Sequence, residues 1–243
     1  MSDIQILILG TLAISVGCNL FGFFLSLAVL YSSIFDRYKI QRGRGDSSLL
    51  ATRLPLVVFN LAVLLVLTVI GLASLGDFFV FVWPGTGFLL GEIFLLFLVD
   101  DTFFYFYHRA LHKIPLLYKS IHRIHHRAVT PFPLEYIYVH PLEWLGGTLG
   151  TVLGLTLLFA FRGDINVYSF WGFALLRNLH EIDIHSGLRP VFTQHLPGIG
   201  TTEHHDLHHI RVNNGNYSST FTFWDRLLGS TVSNRSDLEN PPE

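Results

Sequence analysis

The sequence has little charge for its length. Lys, Arg, Asp and Glu make up 14% of its 243 residues, whereas an average soluble domain is about 25% charged. Half of the residues are hydrophobic, which excludes intrinsic disorder and argues against a soluble domain. The net charge of −2 indicates no nucleic-acid partner, because such partners attract strongly basic proteins.

Cysteine is almost absent as well. Cys18 is the only one, and it lies within an apolar run. A single cysteine excludes an intramolecular disulfide and a thiolate metal cluster. Histidine is abundant instead, with 13 residues, none of them before His108. Any bound metal must therefore rely on histidine or carboxylate ligands.

Long apolar runs account for most of the hydrophobic excess. Residues 4–35 contain no Lys, Arg, Asp or Glu, and this run exceeds the roughly 20 residues of a spanning helix. We expect a retained helix rather than a cleaved signal, because no basic residue precedes it. Four further runs follow, at residues 54–75, 78–99, 142–161 and 165–179. The sequence thus predicts an all-α membrane protein with about four to five transmembrane helices and a cytoplasmic, histidine-rich helical cap.

Basic residues predict the orientation of these helices. They concentrate at 37–53 and 109–127, and two crossings separate the segments, so both lie on the same side. The positive-inside rule makes that side cytoplasmic. The short link at 162–164 makes the last two runs a tight hairpin that returns to this side. Every histidine then lies at or near the cytoplasmic face.

The same patterns predict three regions. Residues 1–97 form N-terminal transmembrane helices, residues 98–230 form the histidine-rich catalytic domain with a membrane hairpin at 142–179, and residues 231–243 form a polar tail. Trp83-Pro84-Gly85 interrupts the third run, so its helix is expected to start near Gly87. Glu92 lies inside that run, where an ionisable side chain needs an interior partner.

The histidines recur at helical spacings. His108 and His112 are four residues apart and share a helix face. On a helix, His122, His125 and His126 fit one arc of 100°, and His205, His208 and His209 repeat that spacing. His204 falls outside the arc. Asp101, two turns before His108, is expected to orient a ligand through a hydrogen bond.

These spacings predict a metal site. Many imidazoles packed together without a metal would leave buried donors and acceptors competing for few partners. Imidazole suits Zn, Cu, Fe and Ni, whereas Ca and Mg prefer oxygen. Eight histidines exceed the needs of one ion, so two are expected. The zinc hydrolase motif H-E-x-x-H is absent, which favours a redox metal pair with a lipid-soluble substrate.

Three segments resemble a known family. HRALH at 108–112, HRIHH at 122–126 and HHDLHH at 204–209 resemble the three histidine boxes of the membrane-bound fatty acid hydroxylase/sterol desaturase superfamily. The resemblance spans about residues 98–230. Finer similarity to the C-4 sterol methyl oxidase branch lies at residues 130–132, 140–143, 182–187, 215–217, 223–225 and 228–229.

The resemblance implies a non-haem di-iron oxidoreductase, a monooxygenase of lipid biosynthesis. Its cofactors would be two Fe ions, with O₂ as co-substrate, and it would hydroxylate or desaturate a C–H bond of a membrane lipid, a sterol or fatty-acyl substrate. It implies His185 as a further ligand. The nine expected ligands are His108, His112, His122, His125, His126, His185, His205, His208 and His209. His140 and His180 stay open, and His195 is expected on a surface loop.

The sequence carries no dinucleotide-binding fingerprint, because no Gly-x-Gly-x-x-Gly follows a strand pattern. Electrons are therefore expected from an external partner, a reductase, cytochrome or ferredoxin. The basic segments are interpreted mainly as topology signal and lipid headgroup contact. The expected location is an integral, multi-pass position, in the endoplasmic reticulum of a eukaryote or the inner membrane of a bacterium. Two alternatives stay open: a non-enzymatic membrane metal-binding or transport protein, and a zinc-dependent lipid hydrolase.

Overall fold

The computed structural model describes residues 1–41, 48–190, 193–210 and 215–233. Five long helices form the body of this described part of the chain, and three short ones lie among its histidine-bearing segments. The α-helices are α1 Asp3–Tyr31, α2 Ser48–Leu75, α3 Thr86–Lys113, α4 Pro115–Ser120, α5 Pro141–Arg162, α6 Val167–Ile184, α7 Thr202–Ile210 and α8 Phe223–Leu227. Short 3₁₀ helices cover Asp36–Tyr38, Gly76–Phe78, His122–Arg127, Pro133–Ile137 and Thr193–His195. The helical fold expected from the sequence is confirmed.

Helix α1 shows why these segments suit a membrane. Ser2 and Gln5 form a capping box at its start, which satisfies free backbone N–H groups. Its buried face carries small or polar residues every three or four positions, including Thr11, Ser15 and Ser26. Large apolar residues occupy the opposite, exposed face. This inverted pattern is typical of helices that pack inside lipid.

Within the described residues, three stretches are long and apolar enough to cross a membrane, Asp3–Tyr31, Ser48–Phe78 and Pro141–Arg162. Helix α3 carries Glu92 and Asp100, and α6 carries Arg177. These charges lower the hydropathy of the two helices. The structure therefore supports a membrane protein, and the expected count of four to five spans stays a prediction.

Helix α3 is central to the packing. It packs extensively against α5 and α6, while α1 packs against α6 and α2. The predicted link between α5 and α6 is tight: Gly163 adopts φ of 81°, and strand β2, Ile165–Asn166, pairs in parallel with β1, Phe79–Val80. Helices α5 and α6, which form the hairpin, both pack against α3. Helix α3 therefore lies between them.

Glycine allows α5 to approach α3 closely. Gly147, Gly150 and Gly154 are buried on one face of α5. A Cβ on Gly150 would lie 2.8 Å from the carbonyl oxygen of Asp100. Small residues at such crossings are typical of membrane helices. This contact fixes the depth of α3, which carries the first histidines.

Two buried acidic residues of α3, Glu92 and Asp100, pair with arginines of neighbouring helices. Glu92 contacts Arg162 and accepts a hydrogen bond from Ser169, so the partner expected for it is confirmed. Asp100 accepts hydrogen bonds of 2.7 Å from Arg177 Nε and from Thr151 Oγ1. These pairs link α3 to α5 and α6.

Replacing Asp100 by Asn is expected to destabilise the fold by about 3 kcal/mol. The change removes the charge of the buried Asp100 that pairs with Arg177, and breaking one partner of a buried pair typically costs that much. Thermal unfolding in detergent measures the loss. Asp77→Asn changes an exposed carboxylate and serves as control; equal shifts in the two variants would contradict the pairing role.

The histidines lie at one end of the bundle. The C-terminal ends of α1, α3 and α6 and the N-terminal ends of α2 and α5 meet there. Arg53 at the start of α2 donates to the carbonyl of Arg127, so the two basic segments share this end. Arg42 and Arg44 of the first segment, and residues 234–243 of the expected tail, lie outside the described residues.

Candidate metal centre

The nine expected ligands lie together in two groups at this end of the bundle. The five-histidine group contains His108, His112, His122, His126 and His208. The four-histidine group contains His125, His185, His205 and His209. Within each group the candidate ligand atoms lie within 4.8 Å of one another, and every side chain is buried.

Backbone carbonyl groups orient three of these rings. Nδ1 of His108 lies 2.8 Å from the carbonyl oxygen of Tyr217, Nδ1 of His208 lies 2.8 Å from that of Gly215, and Nδ1 of His185 lies 2.8 Å from that of Glu181. A carbonyl oxygen only accepts, so each Nδ1 carries the proton. Each Nε2 then presents a bare lone pair.

The Nε2 atoms face one another. Nε2 of His122 lies 2.7 Å from that of His112, and Nε2 of His112 lies 3.2 Å from that of His208. In the second group, Nε2 of His205 lies 2.9 Å from that of His185. Converging lone pairs repel unless a cation lies between them.

The donor set therefore fits metal ions. Ligand nitrogens about 2.1 Å from one ion lie at most about 4.2 Å apart, which is close to the observed spread. Neutral imidazole nitrogen is a ligand for Fe, Zn, Cu and Ni. Two separate groups fit two ions.

The expectation that each histidine triplet lies together on one face of a helix was partly wrong. Residues 122–127 form a 3₁₀ helix, and both triplets are divided between the groups. His122 and His126 join one group while His125 joins the other, and likewise His208 separates from His205 and His209. Each triplet thus bridges the two groups, which holds them side by side.

The remaining histidines lie outside both groups. His204 Nε2 lies 3.4 Å from Asp225, and His180 Nε2 lies 3.1 Å from the carbonyl oxygen of Ser219. His140 caps α5 by accepting from the N–H of Leu142. His195 is exposed at the end of a 3₁₀ turn. The spacing argument that set His204 aside agrees with this placement.

The expectation for Asp101 was wrong. Its carboxylate accepts hydrogen bonds from the N–H groups of Thr220 and Phe221 and orients no histidine of either group. Two other carboxyl groups lie beside expected ligands: Oε2 of Glu181 lies 3.8 Å from Nδ1 of His185, and Oε1 of Glu143 lies 2.8 Å from Nδ1 of His122. Sequence reasoning missed both contacts, although Glu143 stands in the segment His140-Pro141-Leu142-Glu143 that carried part of the resemblance.

Burial keeps the imidazoles neutral. It lowers the pKa of six histidines well below the usual value, and the neighbouring histidines lower it further. The six are His122, His125, His126, His205, His208 and His209. Neutral rings are the form that binds a metal.

Asp225 is a buried carboxylate in the same region. Burial alone would raise its pKa, but the His204 contact and hydrogen bonds from Ser230 and the N–H of Ser218 hold it below the usual value. Asp225 therefore carries a negative charge close to the five-histidine group.

A cavity of about 470 Å³ opens onto both groups. His108 and His122 line it from one group, and His125, His185 and His205 line it from the other. From there it follows α5 from Trp144 to Phe159, about 22 Å at 1.5 Å per residue. Its walls are largely apolar, which suits a long lipid.

Comparison with known proteins adds to this geometry. Residues 93–230 match the model of the family described as fatty acid hydroxylase. The chain is 40% identical to a methylsterol monooxygenase of Aspergillus fumigatus, over 66% of this chain and 52% of that protein. It is 38% identical to methylsterol monooxygenase 1 of Rattus norvegicus, over 55% of this chain and 44% of that protein.

A putative methylsterol monooxygenase of Dictyostelium discoideum is 32% identical over 87% of this chain and 79% of that protein. The chain thus spans about half the length of the first two relatives and most of the third. No solved structure matches it. The family model covers more than half of the chain and includes all nine histidines, and the chain therefore belongs to the fatty acid hydroxylase family.

Proposed function

We propose that the chain is an O₂-dependent di-iron oxidoreductase that hydroxylates a C–H bond of a methylsterol or a closely related membrane lipid. The observation that carries this proposal is the joint opening of both histidine groups onto one long apolar cavity. The names of the relatives, methylsterol monooxygenases, support the substrate class. Two iron ions would supply the oxidising chemistry when bound.

The residues of the chain have defined tasks in this proposal. The five- and four-histidine groups would hold one ion each. Glu143, whose Oε1 lies 2.8 Å from Nδ1 of His122, would help to hold that ring in place. Phe104 and Ile137 line the cavity near the histidines and exclude water from the reacting carbon. The cavity wall positions one C–H bond of the lipid against the metal end.

We further propose that the histidine end faces the cytoplasm, in the endoplasmic reticulum of a eukaryote or the inner membrane of a bacterium. The basic segments at this end support that orientation through the positive-inside rule. A reductase, cytochrome or ferredoxin on that side would supply electrons. The substrate would enter from the lipid phase, since the cavity follows α5, a helix apolar and long enough to cross a membrane.

Metal content and oxygen dependence test the proposal. Protein purified from native membranes is expected to contain about two irons per chain and to oxidise a 4-methylsterol only with both O₂ and a reductant. Undiminished oxidation without O₂ would overturn it. Zinc in place of iron, with hydrolysed lipid as product, would favour the hydrolase alternative.

Filling the cavity should block the substrate without removing the metal. Thr148 lines the cavity, and Thr148→Trp is expected to lower kcat/KM by about 100-fold, because a small displacement of the reacting carbon costs that much. Turnover and iron content of the same preparation provide the measurement.

The neighbouring position gives the matched control. Leu149 is 54% exposed on the outer surface of α5, so Leu149→Trp adds the same bulk away from the cavity and should keep its activity. Equal losses at the two positions would show that the cavity does not hold the substrate.

A further inference from the structure

The segment 215–221 passes beside the five-histidine group. Two of its carbonyl oxygens, those of Gly215 and Tyr217, face histidines of this group. The segment has little regular secondary structure of its own. Backbone hydrogen bonds from Gly200 to Thr220 and from Asn216 to Ser230 hold part of it, and side chains that bind its backbone hold the rest.

Two buried carboxylates bind that backbone in the same way. Asp225 accepts from the N–H groups of Tyr217 and Ser218, at 2.9 and 3.0 Å. Asp101 accepts from those of Thr220 and Phe221, at 2.7 and 3.1 Å. Asp225 is 0% exposed and Asp101 is 2% exposed, and neither forms a Lys or Arg salt bridge within the described ranges.

Each carboxylate reaches a histidine through one peptide group. The N–H of Ser218 belongs to the same peptide group as the carbonyl of Tyr217, which accepts from Nδ1 of His108. Likewise, the N–H of Thr220 belongs to the same peptide group as the carbonyl of Ser219, which contacts His180. A carboxylate at the N–H end polarises the carbonyl and strengthens its hydrogen bond.

The two connections end at different kinds of histidine. His108 is a member of the five-histidine group, whereas His180 belongs to neither group. Asp225 also accepts from Ser230 Oγ, and the carbonyl of Ser230 accepts from the N–H of Asn216. That N–H shares a peptide group with the carbonyl of Gly215, which faces His208. Asp225 thus supports both carbonyl groups that orient this group.

We propose that Asp225 is a positioning residue for the ion of the five-histidine group, acting through the carbonyl oxygens of Tyr217 and Gly215. The inference rests on the proposed function for the presence of the ions. Asp225 fixes the Nδ1–H form of His108 and His208 and so keeps both Nε2 atoms directed inward. Groups that orient a ligand in this way typically strengthen metal binding by about 10- to 100-fold.

Asp225→Asn and Asp101→Asn form a matched pair for the test. Both changes remove a carboxylate that binds two N–H groups of the same segment. The proteins are loaded with ⁵⁷Fe(II), and iron content and Mössbauer spectra are recorded. His126→Ala and His209→Ala give reference spectra for loss of the ion from the five- and four-histidine groups.

The expected result is selective. Asp225→Asn should weaken Fe(II) binding at one site by about 10- to 100-fold, with a remaining spectrum like that of His126→Ala. Asp101→Asn should keep both signals. Retention of both ions by Asp225→Asn, loss of the other ion, or the same loss in Asp101→Asn would overturn the proposal.

A gentler variant covers the case in which Asp225→Asn does not accumulate. Ser230→Ala removes one hydrogen bond to Asp225 and should weaken the same ion alone, to a smaller degree; equal weakening at both sites would overturn the proposal. Iron content of the unchanged protein separates the two claims. If the unchanged protein binds no iron, the proposed function fails. If it binds two ions and the Asp225→Asn variant gives the same spectrum, only this inference fails.

Discussion

Replacing His208 or His125 by Ala is expected to abolish lipid oxidation while the chain still inserts into the membrane. Each change removes one proposed ligand, His208 from the five-histidine group and His125 from the four-histidine group. The proposed chemistry needs both ions, so either loss should lower turnover by more than about 100-fold, the upper effect of losing an orienting neighbour alone. Turnover and iron content per chain measure the effect.

A neighbouring histidine provides the control for these variants. His204→Ala is expected to be mild, since His204 lies outside both groups and Asp225 keeps its three other hydrogen bonds. His205→Ala, one position along, should be as severe as His208→Ala. Equal losses at 204 and 205 would contradict the assignment of ligands.

Acid is expected to destabilise the metal-free protein steeply. Six histidines have a pKa that burial lowers well below the value of about 6.5 in an unfolded chain. They are His122, His125, His126, His205, His208 and His209. Below about pH 6.5 the unfolded chain binds more protons than the folded one, so the free energy of unfolding falls as pH falls.

The steepness with which stability falls below about pH 6.5 distinguishes the titration of buried histidines from ordinary acid unfolding. Each such histidine lowers the free energy of unfolding by about 1.4 kcal/mol for every pH unit below about pH 6.5. Above about pH 7 these histidines do not change the free energy of unfolding with pH. The unfolding temperature of chelator-treated protein should therefore be level from about pH 8 to 7 and fall steeply below 6.5. His208→Gln removes one titrating ring and should reduce the slope. A level profile down to about pH 5.5 would contradict the burial of neutral histidines.

The sequence predicted the helices and the histidine clusters because both depend on local spacing. Long apolar runs give α1, α2 and α5 directly, and repeated histidines stand out in a sequence with a single cysteine. The partner expected for Glu92 also follows from local chemistry, since a carboxylate at that depth requires one. These features need no knowledge of how distant segments meet.

The division of the histidines into two groups could not be predicted from spacing. An i, i+3, i+4 pattern identifies a shared face on an α-helix, but His122–Arg127 is a 3₁₀ helix, and each triplet contributes to both groups. The group that a histidine joins depends on which histidine rings from other segments lie close to it. The contact of His108 with Tyr217 joins residues 109 positions apart, and no local pattern encodes that distance.

The same limit explains Asp101 and Glu143. Asp101 lies on the same helix as His108, which made a local role plausible, yet its partners are backbone groups of Thr220 and Phe221. Glu143 lies beside His122 but belongs to another helix. Buried carboxylates take whichever donors the tertiary fold brings to them, so their partners require the structure.

Isotope labelling of the product tests the central claim most directly. Membranes containing the chain are supplied with a 4-methylsterol, a reductant and ¹⁸O₂ in ordinary water, and the oxidised sterol is analysed by mass spectrometry. If the two histidine groups hold ions that supply O₂ chemistry beside the cavity, the new hydroxyl group should contain one ¹⁸O atom, and His208→Ala should form no product. Oxygen derived from water, or unchanged product formation by His208→Ala, would contradict the account.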